Sequence, residues 1–218
     1  MSRYIQSAFV FFLVLLPTLG RAQGKVALEG ALGTALSAPT PLVVNQEGFD
    51  QISLTADYST RPLDVSPYYQ FQVGIWYRKD SSAIVFGFLH HKLYLDNPPP
   101  EIQRFEITFG YNTLYVGHAW RKDKWVISAG GGPLIANPYS EVRGQVRDGR
   151  RGFLRLGWDF AGATIYGALQ RRFPVGGHVF FGMEAKVTGS MAWVTIANGN
   201  ARVPNVALHF LASFGFGL

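Results

Sequence analysis

The stretch Asn205–Leu218 reads NVALHFLASFGFGL and alternates in polarity from one residue to the next. One set is apolar throughout: Val206, Leu208, Phe210, Ala212, Phe214, Phe216 and Leu218. The other set is small or polar except for one leucine: Asn205, Ala207, His209, Leu211, Ser213, Gly215 and Gly217. Because successive side chains of a strand point to opposite faces, the stretch predicts a strand with one apolar face. A soluble sandwich can alternate likewise, but three Phe on one stripe favour a membrane β-barrel strand, with lipid outside and a polar lumen inside.

The beginning of the chain has the features of an export signal. Arg3 precedes the apolar stretch Ala8–Leu19, and Gly20-Arg21-Ala22 offers small residues for cleavage after Ala22. We expect residues 1–22 to be a cleaved signal peptide and residues 23–218 to be one barrel domain; an uncleaved anchor is the alternative. Cysteine is absent, which excludes disulfides and thiolate chemistry.

The composition of the remaining chain agrees with a barrel. Beyond the signal, no apolar run approaches the roughly 18 residues of a membrane helix. Aromatic residues make up 15% of the chain and there are 25 glycines, as aromatic girdles and a close-packed barrel interior require. Without Arg3 and Arg21, 18 basic residues face 14 acidic ones, a mild positive excess.

Turn signals divide the mature chain into eight alternating segments: Lys25–Thr34, Tyr68–Tyr77, Ala83–Leu95, Arg104–Arg121, Trp125–Ile135, Gly162–Phe173, Val179–Gly189 and the terminal strand. Tight turns at Lys79–Ser82, Lys122–Lys124 and Pro174–Gly177 alternate with long links at Ala35–Pro67, Asp96–Gln103, Ala136–Ala161 and Ser190–Val203. This pattern predicts an all-β fold: an eight-stranded antiparallel up-and-down transmembrane β-barrel with short periplasmic turns and long extracellular loops, in the outer membrane of a Gram-negative bacterium.

The predicted barrel limits where function can lie and which partners it has. Side chains fill the interior of an eight-stranded barrel, so the function is expected at the rim and loops rather than in a pore. The expected partners are outer-membrane lipids and, through the C-terminal strand, the barrel assembly machinery; we expect a monomer and no nucleic acid.

Two groups of polar residues are candidates for chemistry. His90-His91-Lys92 ends the third segment, and the phase of Ile84, Phe86 and Phe88 puts His90 and Lys92 on the lipid side of the extracellular rim, with His91 on the other side. There they would contact a lipid headgroup, and His90 could act as a base. The alternative is that both are ordinary residues of the membrane interface. The second group is expected to face the lumen, as an ion-pair plug or as metal ligands: Glu106, Asn112, Glu184, Lys186, Asn205 and His209.

The third long link carries a cluster of arginines. They are suited to bind lipopolysaccharide phosphates; the alternative is that they belong to a solvated loop without a ligand. Its candidate substrate-binding residues are Glu141, Arg143, Arg147, Arg150 and Arg151, to which His91 at the rim is added. The chain has no Gly-rich nucleotide loop, no Gly-x-Ser-x-Gly elbow and no HExxH motif.

Six short motifs in the same order resemble the outer-membrane lipid A oxidase family described in rhizobia. They are Ser66–Tyr69 with Trp76, Phe88–Lys92 with Tyr94, Phe105–Asn112, Gly130–Ile135 with Glu141 and Val142, Glu184–Lys186, and Asn205–Phe210. The family pattern has Asp-Gly-His-Asn where this chain has Phe109-Gly-Tyr-Asn112, and Asp where it has Gly87. These departures argue against the oxidase activity itself and leave the fold and a lipid A partner as the firmer implications.

The resemblance implies a barrel that acts on the glucosamine disaccharide of lipid A, by an oxygen-dependent reaction that converts the proximal glucosamine to an aminogluconate. A metal cofactor is a further option, with no ligands assigned. The candidate catalytic residues are then His90, Lys92, Asn112, Glu184, Lys186 and His209. Two alternatives remain: a non-catalytic structural barrel, and a lipid A acyl hydrolase, for which no His/Ser pair stands out.

Overall fold

The computed structural model describes residues 25–64, 67–147 and 159–218, and every regular element in these ranges is a β-strand. The strands are β1 (Lys25–Ser37), β2 (Thr40–Gln46), β3 (Ile52–Ala56), β4 (Tyr58–Ser59), β5 (Tyr69–Tyr77), β6 (Ser82–Leu95), β7 (Ile102–Lys122), β8 (Trp125–Ala136), β9 (Tyr139–Val142), β10 (Gln145–Arg147), β11 (Asp159–Gly176), β12 (Val179–Ile196), β13 (Gly199–Arg202) and β14 (Asn205–Gly217). None of these ranges holds a helix long and apolar enough to span a membrane. The expected signal peptide lies outside the described residues.

Eight of the strands close into a barrel. They pair antiparallel in the ring order β1, β5, β6, β7, β8, β11, β12 and β14, and β14 pairs again with β1. Paired residues lead from Ala27 once around the ring to Ser37, so the strands are staggered and tilted as closure requires. Since each barrel strand pairs with the next one along the chain, the predicted eight-stranded up-and-down barrel is confirmed.

The two faces of the barrel differ in polarity as predicted. On β14, Phe210 and Phe214 are 46% and 65% exposed, whereas His209 and Ser213 are buried. The other strands also present apolar side chains outward, among them Leu32, Phe71, Phe86, Ile127, Ile165 and Met183. The lumen instead holds buried polar groups: Glu29, Gln70, Thr164, Gln170, Glu184, Lys186 and His209. An apolar outer band around a polar interior is the design of a transmembrane barrel.

The two ends of the barrel differ in their connections. Tight turns join β5 to β6, β7 to β8 and β11 to β12 at one end, which is the periplasmic end in bacterial barrels. At the other end the links that we expected to be loops contain much regular structure. The barrel strands extend into them, and β2, β3, β4, β9, β10 and β13 add further pairings. Sequence periodicity missed these strands because each is short.

The extracellular extension is closed by an apolar core of its own, which we call the cap. Its largest members come from the barrel strands β6, β7, β8 and β12 and from the short strands β2, β4 and β9: Leu42, Val44, Tyr58, Leu93, Ile102, Phe105, Ile107, Tyr111, Leu134, Val142, Val194 and Ile196. Burial raises the pKa of the Tyr58 hydroxyl in this core. The interior therefore changes from polar within the membrane to apolar above it, and this change decides which way the site residues face.

Candidate functional site

The extracellular end of β6 places His90 in a small polar group on the outward side of the barrel. His90 is paired in register with Tyr69 on β5 and with Asn112 on β7. Its ring stacks on Tyr69 at 4.9 Å between centroids, and its Nδ1 lies 2.7 Å from Oδ1 of Asn112. Tyr69 also contacts the outward rings of Phe71 and Phe88. We call Tyr69, His90 and Asn112 the rim patch.

Asn112 and Glu106 face the opposite way from our expectation. Both were expected in the lumen, but Asn112 bonds to outward His90 and Glu106 is paired with Tyr94 on that same outward side. The expectation was wrong because it assumed a polar interior. At this height Ile107 and Tyr111 point into the apolar cap, so their polar neighbours on the strand point outward.

Residues 108–110 form an irregularity beside the rim patch. His91 pairs with Tyr111 and Leu93 with Ile107, so β7 carries three residues opposite the single Lys92. Gly110 has φ of 122°, and an added Cβ there would overlap the side chain of Asn112. Glycine is therefore required for Asn112 to reach His90.

Lys92 lies on the expected side of the barrel but not at an exposed rim. It is fully buried, and its ammonium donates to the carbonyl of Asp64 at 2.5 Å. The Asp64 carboxylate accepts a bond from Tyr94 at 3.3 Å, so the segment ending at Asp64 covers the top of β6. His90 is likewise only 4% exposed. No local sequence pattern indicates this cover, because it comes from a link with no periodicity.

Two of the six residues expected in the lumen form an ion pair there. Lys186 and Glu184 on β12 form an ion pair at 3.1 Å, with side chains 1% and 4% exposed. Gln70 donates to Glu184 at 3.3 Å and accepts a bond from Lys186. The Lys186 ammonium also lies 4.6 Å from the ring centroid of Tyr115. Every one of these groups has a partner, which is the property of a packed structural network.

His209 is next to Lys186 in the strand register but belongs to a different group. Its Nδ1 bonds to the Tyr68 hydroxyl, and its Nε2 lies 2.7 Å from the hydroxyl of Thr188. The ring of His91, which faces the lumen as predicted, lies 5.1 Å away and reaches Thr60 at 3.3 Å. Asn205, the remaining lumenal candidate, is buried and donates to Ser37 at 3.0 Å.

The chemistry open to the lumenal group is restricted by its burial. A hydroxyl bonded to an imidazole, as Thr188 is to His209, is the arrangement of an activated nucleophile. Both residues are buried, however, below the cap and inside the barrel wall. No group of three or more His, Asp or Glu side chains in the described part of the chain is placed to hold a metal ion. The described residues therefore do not fit a metal site.

The described arginines of the third link contact other residues of the extracellular end. Arg147 is buried and pairs with Asp159 at 2.6 Å. Arg143 lies over Phe49 at 4.7 Å and donates to the carbonyl of Asp50 at 2.8 Å. Glu141 is paired in register with Arg104 on β7. Arg150 and Arg151 lie outside the described residues, so their predicted contact with anionic lipid stays a prediction.

No protein-family model matches the chain, and neither does any curated protein. Several solved structures share its general shape. The outer-membrane protease OmpT of Escherichia coli has a TM-score of 0.48 at 9% identity, covering 89% of this chain and 97% of its own. The attachment invasion locus protein Ail of Yersinia pestis has a TM-score of 0.45 at 9% identity, and the match covers 89% of this chain and 99% of Ail. Neisserial surface protein A has a TM-score of 0.41 at 6% identity, and the match covers 88% of this chain and 96% of that protein. Likenesses this distant say nothing about function.

Proposed function

We propose that this protein is an outer-membrane barrel of a Gram-negative bacterium that binds lipid A at the rim patch. The observation that supports the proposal is the position of the His90–Asn112 pair. It lies on the outward side of the barrel, at the extracellular end of the apolar band, next to the aromatic rings of Tyr69 and Phe88. Polar groups among aromatic rings at this level suit a sugar headgroup above acyl chains.

The shape of the surrounding surface supports a lipid ligand. Phe71 and Phe109 flank the patch and are 60% and 55% exposed on the lipid-facing side. Leu63, in the segment that covers Lys92, is 89% exposed. Large apolar side chains that are exposed together mark a surface for a membrane or a partner, so this surface would lie against acyl chains while the polar pair meets the headgroup.

The proposal extends to a modification of the bound headgroup. His90 is oriented by Asn112, as a general base is oriented by a second polar group, and it would accept a proton from a sugar hydroxyl. Oxidation of the proximal glucosamine would also need molecular oxygen as the electron acceptor, as the family resemblance implies. The role proposed for this chain is to bind the headgroup and to accept that proton.

A non-catalytic barrel is the second candidate function, and the burial of the site favours it. His90 and Lys92 are almost fully covered, and the described arginines of the third link are engaged within the cap. In this case the protein would seal the membrane and hold lipid without changing it.

Mass spectrometry of lipid A separates the two candidates. Lipid A would be extracted from cells with and without the protein, and the purified barrel would be tested for lipid A binding in phosphatidylcholine nanodiscs. A gain of one oxygen atom in the presence of the protein indicates oxidation, and loss of an acyl chain indicates a hydrolase. Binding without any mass change indicates the non-catalytic barrel, and absence of binding contradicts the proposal.

A further inference from the structure

The periplasmic mouth of the barrel contains a second group of charged and aromatic side chains, at the end opposite the rim patch. A cavity of about 340 Å³ opens there, within the size range of ligand pockets. Four inward-facing side chains from different barrel strands form its wall: Trp76, Arg121, Arg172 and Phe180. We call these four residues the mouth site.

The aromatic rings of the mouth site hold its two guanidinium groups in place. The Cζ atoms of Arg121 and Arg172 lie 5.1 and 5.0 Å from the ring centroid of the same indole, that of Trp76. Arg172 also lies 4.3 Å from the ring of Phe180. Arg172 donates from Nε to Gln170 at 2.7 Å and from Nη2 to Glu29 at 3.1 Å. Stacking therefore fixes both guanidinium groups, and the donors directed to the cavity are Nη1 of Arg172 and the guanidinium of Arg121.

The ion pairs around the cavity leave an excess of positive charge. Arg172 pairs with buried Glu29 at 3.1 Å, which anchors it at the floor of the cavity. Lys25 takes the near position on Asp80 at 2.6 Å, while Arg121 is 3.8 Å from the same carboxylate. Lys124 and Asp123 complete the charged lining, so with Glu29 counted four cationic side chains face three carboxylates. A mouth with this balance attracts anions.

We propose that the mouth site binds a compact oxyanion, a carboxylate or a phosphate, through Arg121 and Arg172. The guanidinium fork matches both groups, and the aromatic walls exclude part of the water that would weaken the interaction. The proposal is independent of lipid A binding, because the two sites lie at opposite ends of the barrel.

Two sources can supply this chemistry at the periplasmic surface. One is a soluble or cell-wall anion that enters the mouth along the barrel axis. The other is the phosphate of an anionic inner-leaflet phospholipid such as phosphatidylglycerol, which lacks the choline cation that neutralises the phosphate of phosphatidylcholine. The outward residues of the same end, such as Arg171, which lies over Trp125 at 5.2 Å, face the lipid instead. Anion binding inside the mouth should therefore depend on Arg121, whereas binding to the outer surface at this end would depend on Arg171.

The test uses the full mature barrel in phosphatidylcholine nanodiscs, titrated with inorganic phosphate and with acetate by calorimetry. The Arg121→Gln variant removes a mouth-site cation without leaving a buried carboxylate unpaired. Arg171→Gln is the matched control, with the same charge change one residue from Arg172 on β11 but on the lipid side. Heat-modified migration on gels checks that both variants fold.

We expect saturable binding of at least one anion, weakened about tenfold or more by Arg121→Gln and unchanged by Arg171→Gln. Repeating the titration with phosphatidylglycerol in the nanodisc identifies the source: lower anion affinity indicates that the lipid phosphate occupies the mouth, and unchanged affinity indicates an axial anion. Absence of saturable binding, or equal weakening by both variants, would overturn the proposal.

Discussion

On the outward side of the barrel, Nδ1 of His90 lies 2.7 Å from Oδ1 of Asn112. The adjacent residues His91 and Tyr111 contact each other inside the barrel. Two neighbouring pairs of the same two strands thus have different surroundings. The inner pair lies where the polar lumen meets the cap, of which Tyr111 is a member. The outer pair is also buried, but it borders the outward ring of Tyr69, which in turn contacts Phe88.

The first prediction concerns His90. His90→Phe retains a ring to stack on Tyr69 but removes the bond to Asn112, and we expect the protein to lose lipid A binding while still folding. The cost to the free energy of unfolding should be about 1–3 kcal/mol, since the buried Asn112 side chain loses a partner. Binding is measured in nanodiscs and stability by urea unfolding in lipid vesicles.

His118→Phe is the matched control for this change. His118 lies on the outward side of β7 nearer the periplasmic end, bonds to the Tyr77 hydroxyl at 2.6 Å and contacts the ring of Trp120. It therefore has the same kind of surroundings in the other leaflet. If His118→Phe lowers lipid A binding as much as His90→Phe does, binding does not depend on the rim patch.

The second prediction concerns the lumenal ion pair. Glu184→Gln leaves the buried Lys186 ammonium without its carboxylate, and the free energy of unfolding should fall by about 3–5 kcal/mol. The double change Glu184→Gln with Lys186→Met should recover much of the loss, because no unpaired charge remains. Arg104→Gln, which breaks an exposed pair with Glu106, should cost at most about 1 kcal/mol. Equal effects of the buried and exposed changes would show that the lumen is hydrated.

The third prediction tests the packing of aromatic rings over glycine in the lumen. An added Cβ at Gly87 would overlap the ring of Tyr115, whose hydroxyl bonds to Gln72 at 3.2 Å. Gly87→Ala should therefore destabilise the barrel by about 1–3 kcal/mol. At Gly167 an added Cβ meets nothing within 4 Å, so Gly167→Ala should change stability little. A larger loss at Gly167 than at Gly87 would contradict the described packing.

The barrel could be predicted from the sequence because each strand within the membrane has lipid on one side and a polar interior on the other. Phe210 and Phe214 face lipid as expected, and His209 and Ser213 face the lumen. Successive side chains of a strand point to opposite faces, so the direction of every side chain follows once the apolar face is known to be the outer one.

The candidate site was harder to predict for two physical reasons. Above the membrane the interior becomes apolar, so the rule that placed Glu184 in the lumen misplaced Glu106 and Asn112. The burial of Lys92 depends on a contact with Asp64, 28 residues earlier in the chain, which no local pattern encodes. The mouth site was missed because its residues come from four strands and only the closed barrel brings them together.

The last prediction concerns the C-terminal strand. Phe214 is 65% exposed on the outward face of β14 and contacts the ring of Phe181, so Phe214→Asp places a carboxylate in the apolar band. We expect a cost of roughly 1–3 kcal/mol because a charge on the lipid face is destabilising. We also expect a lower yield in the outer membrane if, as predicted, the assembly machinery recognises this strand by its apolar face. Val146→Asp is the control: Val146 is 51% exposed on β10, outside the barrel ring, where a new charge meets water and should be tolerated. Yields are compared by the amount of heat-modifiable protein in isolated outer membranes. Normal yield for Phe214→Asp would mean that this face of β14 does not contact lipid.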